Sequence, residues 1–470
     1  MGLTKFIDLL FLGGEIVQAT SKFKHNLALR TVKIMNVIIM TVPFMLCWFL
    51  YYGSRIRVPY YRTGNFLIII LFMVLYMVFG RLYDAFVINL SKISEIIYSQ
   101  FLAVSFTDLI MYIVICLLSS KLTNLWPGIA CLVGQVLVSS CWTFCVHKWY
   151  FKTFEPVPTI IVYENKKSLK ELNSSIVLLK RFNIIDTIKA DDCLDDLSFL
   201  NDIGAIFLCG NKSSKRNIIL KECIKRDIDV FICPGISDII LSGAYPIHAF
   251  PFPVLKTYRY MPQPEYVFFK RLFDIILSAF LLILTLPISL IVAILIKAYD
   301  GGPCFYKQTR LTKDGKEFGI LKFRSMIVDA EKDGVARLSS GDNDSRITPV
   351  GRFIRACRMD ELPQLLNILK GEMTFVGPRA ERPELTEKYS EKIPEFKLRL
   401  QAKAGLTGYA QVYGKYNTEP YEKLQMDLMY IAHPSLIEDF KIILATVKIL
   451  FMKDSTEGIQ EGATDALNEE

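Results

Sequence analysis

At 470 residues the chain is too long for one ordinary domain. Its residues are 52% apolar and its mean hydropathy is +0.32, which excludes a disordered chain and points to membrane segments. The net charge of +8 suits an anionic membrane surface or phosphate ligands, and 11 cysteines scattered without CxxC pairs read as buried thiols in a reducing compartment, not a disulfide framework.

The first long apolar run begins near Ile34, after Lys5, Lys22, Lys24, Arg30 and Lys33. No small-residue cleavage site follows it, so it reads as a membrane helix and not a signal peptide. Four runs have the length and polarity of crossings: Ile34–Tyr52, Gly64–Gly80, Tyr98–Ser120 and Trp126–Val146. Tyr and Trp mark several of their ends. The basic residues favour a cytoplasmic N-terminus, although Arg55, Arg57 and Arg62 make the first outer loop unusually basic. Asp108 interrupts the third run, where an acid either serves a function or contacts a neighbouring helix.

From Thr159 the pattern changes to short apolar strands alternating with polar helices. Thr159–Tyr163, Ile184–Ala190, Ala205–Gly210 and Asp229–Pro234 read as strands, and Lys167–Lys180 and Ser214–Arg226 as helices. The alternation predicts a small parallel sheet. Its first strand runs into VYENKKS, without the closely spaced glycines of a dinucleotide site. The module therefore reads as a degenerate Rossmann-like unit for assembly or regulation.

A fifth apolar run, Ile275–Ile296, is long enough to span. Both of its flanks are basic: Lys270 and Arg271 before, Lys297, Lys307, Arg310 and Lys313 after. The positive-inside rule places both ends in the cytoplasm. Pro287 removes a helix hydrogen bond just past the middle, between Thr285 and Ser289. A helix that enters, breaks at Pro287 and returns to the same face fits this pattern, and a kinked spanning helix is the alternative.

Charge then concentrates: Arg346, Arg352, Arg355, Arg358, Arg379 and Arg382 surround the adjacent acids Asp360 and Glu361. Arginine pairs with phosphate oxygens through two parallel hydrogen bonds. Acids just ahead of Pro363 and LPQLLNIL also complement a helix N-terminus. Together with the arginines they match metal-assisted phosphoryl transfer, in which magnesium takes carboxylate and phosphate oxygens. One carboxylate can attack phosphorus while its neighbour, on a different helix face, holds metal or orients the site. A rival signal is Asp342-Asn343-Asp344, the D-x-D pattern of glycosyltransferases that hold a nucleotide diphosphate through a metal, set in a turn-like stretch. A non-enzymatic membrane protein of polysaccharide assembly is the reading from another class. Downstream, Leu436–Met452 reads as an amphipathic helix that lies in the headgroup layer or packs on the core.

The runs KRLFDI, KFRSM, DSRITPVGRFIR, MDELPQLLNILKGEMTFVGPR and GLTGYAQV resemble those of the bacterial sugar transferases, over about Phe268–Lys453. These are polyprenyl-phosphate sugar-1-phosphate transferases that begin capsule, exopolysaccharide or O-antigen assembly. The resemblance implies transfer of a sugar 1-phosphate from a UDP-sugar to undecaprenyl phosphate, with release of UMP. It implies Asp360 as nucleophile through a covalent aspartyl-phosphosugar, Glu361 as its partner, and magnesium held at Asp360 and Glu361. Lys322, Arg324, Arg355 and Arg379 match phosphate-binding positions, and Pro287 matches the break of a re-entrant helix. Lys415 stands where the family usually has arginine, which weakens a bidentate phosphate contact. Membrane lipid and a second copy of the chain are further implied partners, and no nucleic acid is. The expected layout is a four-helix transmembrane domain (1–150), a degenerate Rossmann-like α/β module (151–262), a mainly α catalytic domain (263–455) with its re-entrant helix at 268–297, and a flexible acidic tail (456–470). The expected location is the bacterial inner membrane, with the catalytic domain facing the cytoplasm.

Overall fold

A computed structural model describes residues 21–61, 63–164, 180–190, 192, 197–210, 213–247, 252–260, 262–328, 346–414 and 418–450. The chain forms two compact units, Met1–Cys233 and Pro234–Glu470. The expected helix at 167–180 lies almost wholly outside the described residues, and the acidic tail entirely so.

The first unit opens with four long helices: α1 (Ser21–Cys47, continued by a wider turn to Tyr52), α2 (Thr63–Leu82), α3 (Ile93–Ser119) and α4 (Trp126–Thr153). All four are long and apolar enough to cross a membrane. Their contact faces carry large buried side chains such as Trp48, Phe72, Tyr76 and Tyr150, and the Phe44 and Phe72 rings stack with centroids 4.4 Å apart. Several polar groups inside the bundle pair with each other. Tyr76 Oη donates to Asn36 Oδ1 (2.8 Å), and Ser139 and Thr143 donate to Gln100 Oε1 (2.5 and 3.2 Å). In a water-free interior an unpaired group would cost more than such bonds gain. Asp108 lies beside Gln135 of α4, so it faces a neighbouring helix. Outward-facing Leu67, Leu109, Leu117 and Leu137 are exposed, which is how a bundle meets lipid.

After α4 come β1 (Val157–Tyr163), β2 (Phe182–Lys189), β3 (Ala205–Cys209), α5 (Ser213–Lys225) and β4 (Asp229–Ile232). The sheet is wholly parallel in the order β2-β1-β3-β4. The near-continuous apolar runs of β1 and β3 suit strands covered on both faces, and Ile160, Val162, Ile206 and Leu208 form the core with Ile219 and Cys223 of α5.

The second unit begins with α6 (Ile236–Ser242) and a hairpin of β5 (Tyr245–Ile247) and β6 (Val254–Lys256). Then comes α7 (Pro264–Asp300), a 37-residue helix that is also long and apolar enough to cross a membrane. Pro287 lies inside it, and the helix runs on without interruption. Thr285 Oγ1 donates to the Leu281 carbonyl at 2.7 Å, a local bond that proline-containing helices commonly use. An antiparallel pair follows, β7 (Phe305–Leu311) and β8 (Glu317–Phe323). Next are α8 (Pro349–Ala356), a 3₁₀ turn (Met359–Glu361), α9 (Gln364–Lys370) and β9 (Thr374–Val376). The rest comprises α10 (Pro383–Lys392), a 3₁₀ segment (Pro394–Gln401), β10 (Gly405–Thr407), α11 (Tyr409–Val412), α12 (Pro420–Ala432) and α13 (Leu436–Leu450). Phe375, Phe396, Leu424, Leu428 and Ile442 centre the core, and Ile236 and Ile239 of α6 join it. Ile442 buries α13 against that core, while its Ile437 and Phe440 remain exposed.

A buried ionic network braces this unit. Arg399 is almost fully enclosed and pairs with Asp427 at 2.6 Å, and Nη1 lies 3.6 Å from Glu381. Arg310 approaches Glu381 from the other side at 3.8 Å. Removing one partner of such a pair strands the other charge in a low-dielectric interior. Arg399→Met should therefore destabilise the full-length protein by about 3–5 kcal/mol, and Arg399→Met/Asp427→Leu should recover most of that loss. Denaturation in detergent checks this, and a double variant no better than the single one would rule out pairing as the source.

Candidate active site

Short-range geometry first decides where the acids stand. Thr348 caps α8 by accepting from Gly351 N at 2.9 Å, and Pro349 occupies the first turn. A Cβ on Gly351 would sit 1.9 Å from the Ser325 carbonyl, so only glycine lets α8 approach the end of β8 this closely. Arg355 then reaches Ser325 Oγ through Nε at 2.8 Å. Arg358 adopts a left-handed backbone (φ 54°), which reverses the chain between α8 and the 3₁₀ turn and swings Asp360 and Glu361 inward. On the other side Asn367 locks α9 to β8: its Oδ1 accepts from Leu321 N (3.0 Å) and its Nδ2 donates to Gly319 O (2.9 Å) and Glu372 Oε2 (2.6 Å). That lock sets Lys322 of β8 opposite Glu361, with Nζ 3.1 Å from Oε1.

The two neighbouring carboxylates differ in state. Burial works against a charge on Glu361, but Lys322, Arg379 and Arg358 outweigh it and pull its pKa down to about 2. Asp360 is buried, and desolvation together with the negative Glu361 holds its pKa above the usual aspartate range against the pull of Lys322, Arg355 and Arg358. The pair thus combines a fixed anion with a poorly solvated, more basic carboxylate.

The turn after β9 completes the site. Gly377, Gly405 and Gly408 bring two chain segments together: a Cβ on Gly405 would stand 2.2 Å from Gly377 N, and one on Gly408 2.2 Å from Gly377 O. Arg379 bridges to Gly405, and its carbonyl accepts from Arg399 Nη2 at 3.1 Å. The buried network described above therefore fixes the backbone of Arg379, whose side chain is exposed.

Of the residues expected from sequence, the structure assembles Asp360, Glu361, Lys322, Arg355 and Arg379. Arg324 pairs instead with Asp300 at the C-terminal end of α7 and packs against Gly302, where a Cβ would lie 2.0 Å from its Nη1. Pro287 lies within α7. Lys415 and the rival Asp342-Asn343-Asp344 lie outside the described residues. Sequence reading overlooked Asn367, Ser325 and Asp300 as positioning groups. A lone asparagine inside the apolar LPQLLNIL was the available signal for the first.

No group of three or more His, Cys, Asp or Glu side chains converges on a point among the described residues. The donor set at the carboxylate pair still fits magnesium, which commonly takes one or two carboxylates and completes its shell with substrate phosphates and water.

Residues 265–453 match the bacterial sugar transferase family. The chain is 42% identical over 191 residues to a UDP-glucose:undecaprenyl-phosphate glucose-1-phosphate transferase of Caulobacter vibrioides, covering 40% of this chain and 71% of that protein. It is 31% identical over 289 residues to an undecaprenyl-phosphate galactose phosphotransferase of Salmonella typhimurium, covering 58% and 60%. It is 36% identical over 193 residues to a UDP-N-acetylgalactosamine-undecaprenyl-phosphate N-acetylgalactosaminephosphotransferase of Aeromonas hydrophila, covering 40% and 45%. The chain thus spans less than two thirds of the latter two relatives, and the three names carry three different sugars. The matched segment contains the carboxylate pair, its cations and α7, and on this ground the chain belongs to the bacterial sugar transferase family.

Proposed function

We propose that the protein transfers a sugar 1-phosphate from a UDP-sugar to undecaprenyl phosphate at the cytoplasmic face of the bacterial inner membrane, the first membrane-bound step of a capsule, exopolysaccharide or O-antigen. The observation that carries this reading is the buried Asp360 beside an ion-paired Glu361, within reach of the charges of Lys322, Arg355, Arg358 and Arg379. These cations suit a diphosphate donor and a phosphate acceptor. An Asp360 oxygen attacks the phosphorus that bears the sugar. The phosphoanhydride bond breaks, UMP leaves with its electron pair, and an aspartyl-phosphosugar remains. The acceptor phosphate oxygen then attacks the same phosphorus and frees the carboxylate. Arg355 and Arg379 steady phosphate oxygens, and Lys322 keeps Glu361 ionised and in place. Magnesium, when bound, would neutralise diphosphate charge, with Asp360 and Glu361 as its protein ligands. The α/β module serves assembly, with a homodimer as the expected state.

The re-entrant course of α7 is part of the proposal. Its first half contacts the second unit through Arg271, which donates to the Ile368 and Leu369 carbonyls (2.7 and 2.8 Å), and through Asp274, which accepts from Thr374 Oγ1 (2.8 Å). Its second half packs through Val292 and Ile296 against Phe323 and Ile354 of the same unit. The apolar middle, including Ile283, Leu286 and Leu290, is exposed. Helical structure continues through Pro287, so the return to one face must come from a bend there, where proline removes a hydrogen bond and crowds the preceding turn; two halves that both rest on one compact unit around a bare apolar middle suit such a course.

Asp360→Asn preserves size but removes the attacking charge, and turnover should fall by about 10³- to 10⁵-fold. Purified wild type given UDP-sugar and magnesium without lipid should release UMP once per chain, and EDTA should abolish that release. Release of UDP, or near-normal turnover of Asp360→Asn, would sink the mechanism. A panel of UDP-sugars in the same assay identifies the sugar.

Asp360 must be ionised to attack, and the charge of Glu361 raises its pKa. Glu361→Gln removes that cause, so the acid limb of kcat/KM should move to lower pH relative to wild type. Comparison with wild type cancels the titration of the substrate phosphates. A limb that stays or moves upward contradicts the assignment.

Single-cysteine variants at Phe268 and Lys307, in a background lacking the exposed native cysteines, should react with impermeant maleimide from the same side of sealed vesicles. Reaction from opposite sides eliminates the re-entrant course.

A further inference from the structure

The α/β module holds a chemical group that phosphoryl transfer does not use. β3 and β4 are parallel neighbours in which Leu208 stands opposite Ile232. One residue further on, Cys209 and Cys233 stand opposite each other, and Cys233 N donates to the Leu208 carbonyl at 2.9 Å. Adjacent strands are about 4.8 Å apart, within the Cα separations that a disulfide accepts. The side chains of directly opposed residues point to one face, and here the Sγ atoms lie 2.6 Å apart. Cys209 is buried and Cys233 is exposed.

We propose that Cys209 and Cys233 form an oxidation site, a dithiol that a peroxide converts reversibly to a disulfide. Exposure makes Cys233 the sulfur that meets the oxidant. Its thiolate attacks one peroxide oxygen, the O–O bond breaks, and Cys233 becomes a sulfenic acid as the other oxygen leaves as hydroxide. The Cys209 sulfur then attacks the sulfenic sulfur: the S–S bond forms, the S–O bond breaks, and the second oxygen leaves as hydroxide. The two thiol protons convert these hydroxides to water. The two sulfurs together lose two electrons and the peroxide gains them. A dithiol restores the pair by exchange. Contact with Cys233 and burial favour the protonated form of the Cys209 thiol, which gives up its proton as its sulfur attacks the sulfenic sulfur. The bond would join the end of β3 to the residue that precedes Pro234, where the first unit gives way to the second. Oxidation thus clamps the last strand of the module at the point where the chain leaves it.

The test uses the full-length protein in detergent, treated with hydrogen peroxide, unfolded, alkylated and digested without reductant. The expected product is one peptide pair joined through Cys209 and Cys233, lighter than the two reduced peptides by two hydrogens, about 2 Da. Two alkylatable thiols are lost per chain, and dithiothreitol restores both. In Cys209→Ser, Cys233 should instead be captured as its sulfenic acid by dimedone, a signal that wild type loses as the link forms. The proposal is overturned if Cys233 in wild type passes to sulfinic acid while Cys209 stays alkylatable, if Cys233 links to another cysteine, or if neither thiol reacts at peroxide levels that oxidise a simple thiol.

Discussion

Two carboxylates on adjacent residues cannot both carry charge in a buried place unless cations surround them, and the catalytic unit is arranged around that constraint. Coulomb repulsion between close like charges grows as water is removed, and each ion also loses its hydration. The repulsion here is divided unequally. Lys322, at 3.1 Å, holds Glu361 ionised, and the cost falls on Asp360, whose proton is bound more tightly than in water. In the proposed mechanism that inequality separates a fixed partner from a group basic enough to attack phosphorus. It depends on β8 standing beside the 3₁₀ turn, which in turn depends on the two hydrogen bonds from Asn367 to β8.

The cations are held by different means, and the difference follows their tasks. Arg355 is braced by Ser325, and the backbone of Arg379 is fixed by Arg399, itself locked to Asp427. Arg324 is turned away to Asp300, at the junction of α7 with the catalytic unit. Its charge therefore ties the membrane-associated helix to β8. One cluster of basic residues in the sequence thus divides into a part beside the carboxylate pair and a part that fastens the site to the helix.

The placement of the site also follows from burial energetics. On the proposed reaction one substrate, a nucleotide sugar, is water-soluble and the other, a polyprenyl phosphate, is not, so the groups that join them belong at the bilayer surface. Both halves of α7 rest on one globular unit, and the exposed apolar residues between them suit hydrocarbon. The α/β module lacks a glycine-rich phosphate loop after β1. Its reactive feature is instead the opposed pair of thiols at the carboxyl ends of β3 and β4.

Much of this was legible in the sequence. Length and polarity marked each apolar helix because the hydrocarbon core has a fixed thickness, and the switch to short apolar strands marked the parallel sheet because such strands are covered on both faces. The crowding of arginines around Asp360 and Glu361 announced phosphate chemistry, and the DELPQ block, with the sequence similarity that followed it, announced the family. Only the tertiary structure could assign partners. Lys322 precedes Glu361 by 39 residues and Asp300 precedes Arg324 by 24. Neither separation has a period that a helix or strand would impose. Ion pairing depends on distance in space, and that distance is set by packing: the missing Cβ of Gly351, the left-handed turn at Arg358 and the asparagine that joins α9 to β8. The sequence by itself determined which residue types were available to bind phosphate. The fold decided which of them face the carboxylates, because a side chain's charge acts across a few ångströms of low-dielectric space and the order of residues along the chain does not specify those few ångströms.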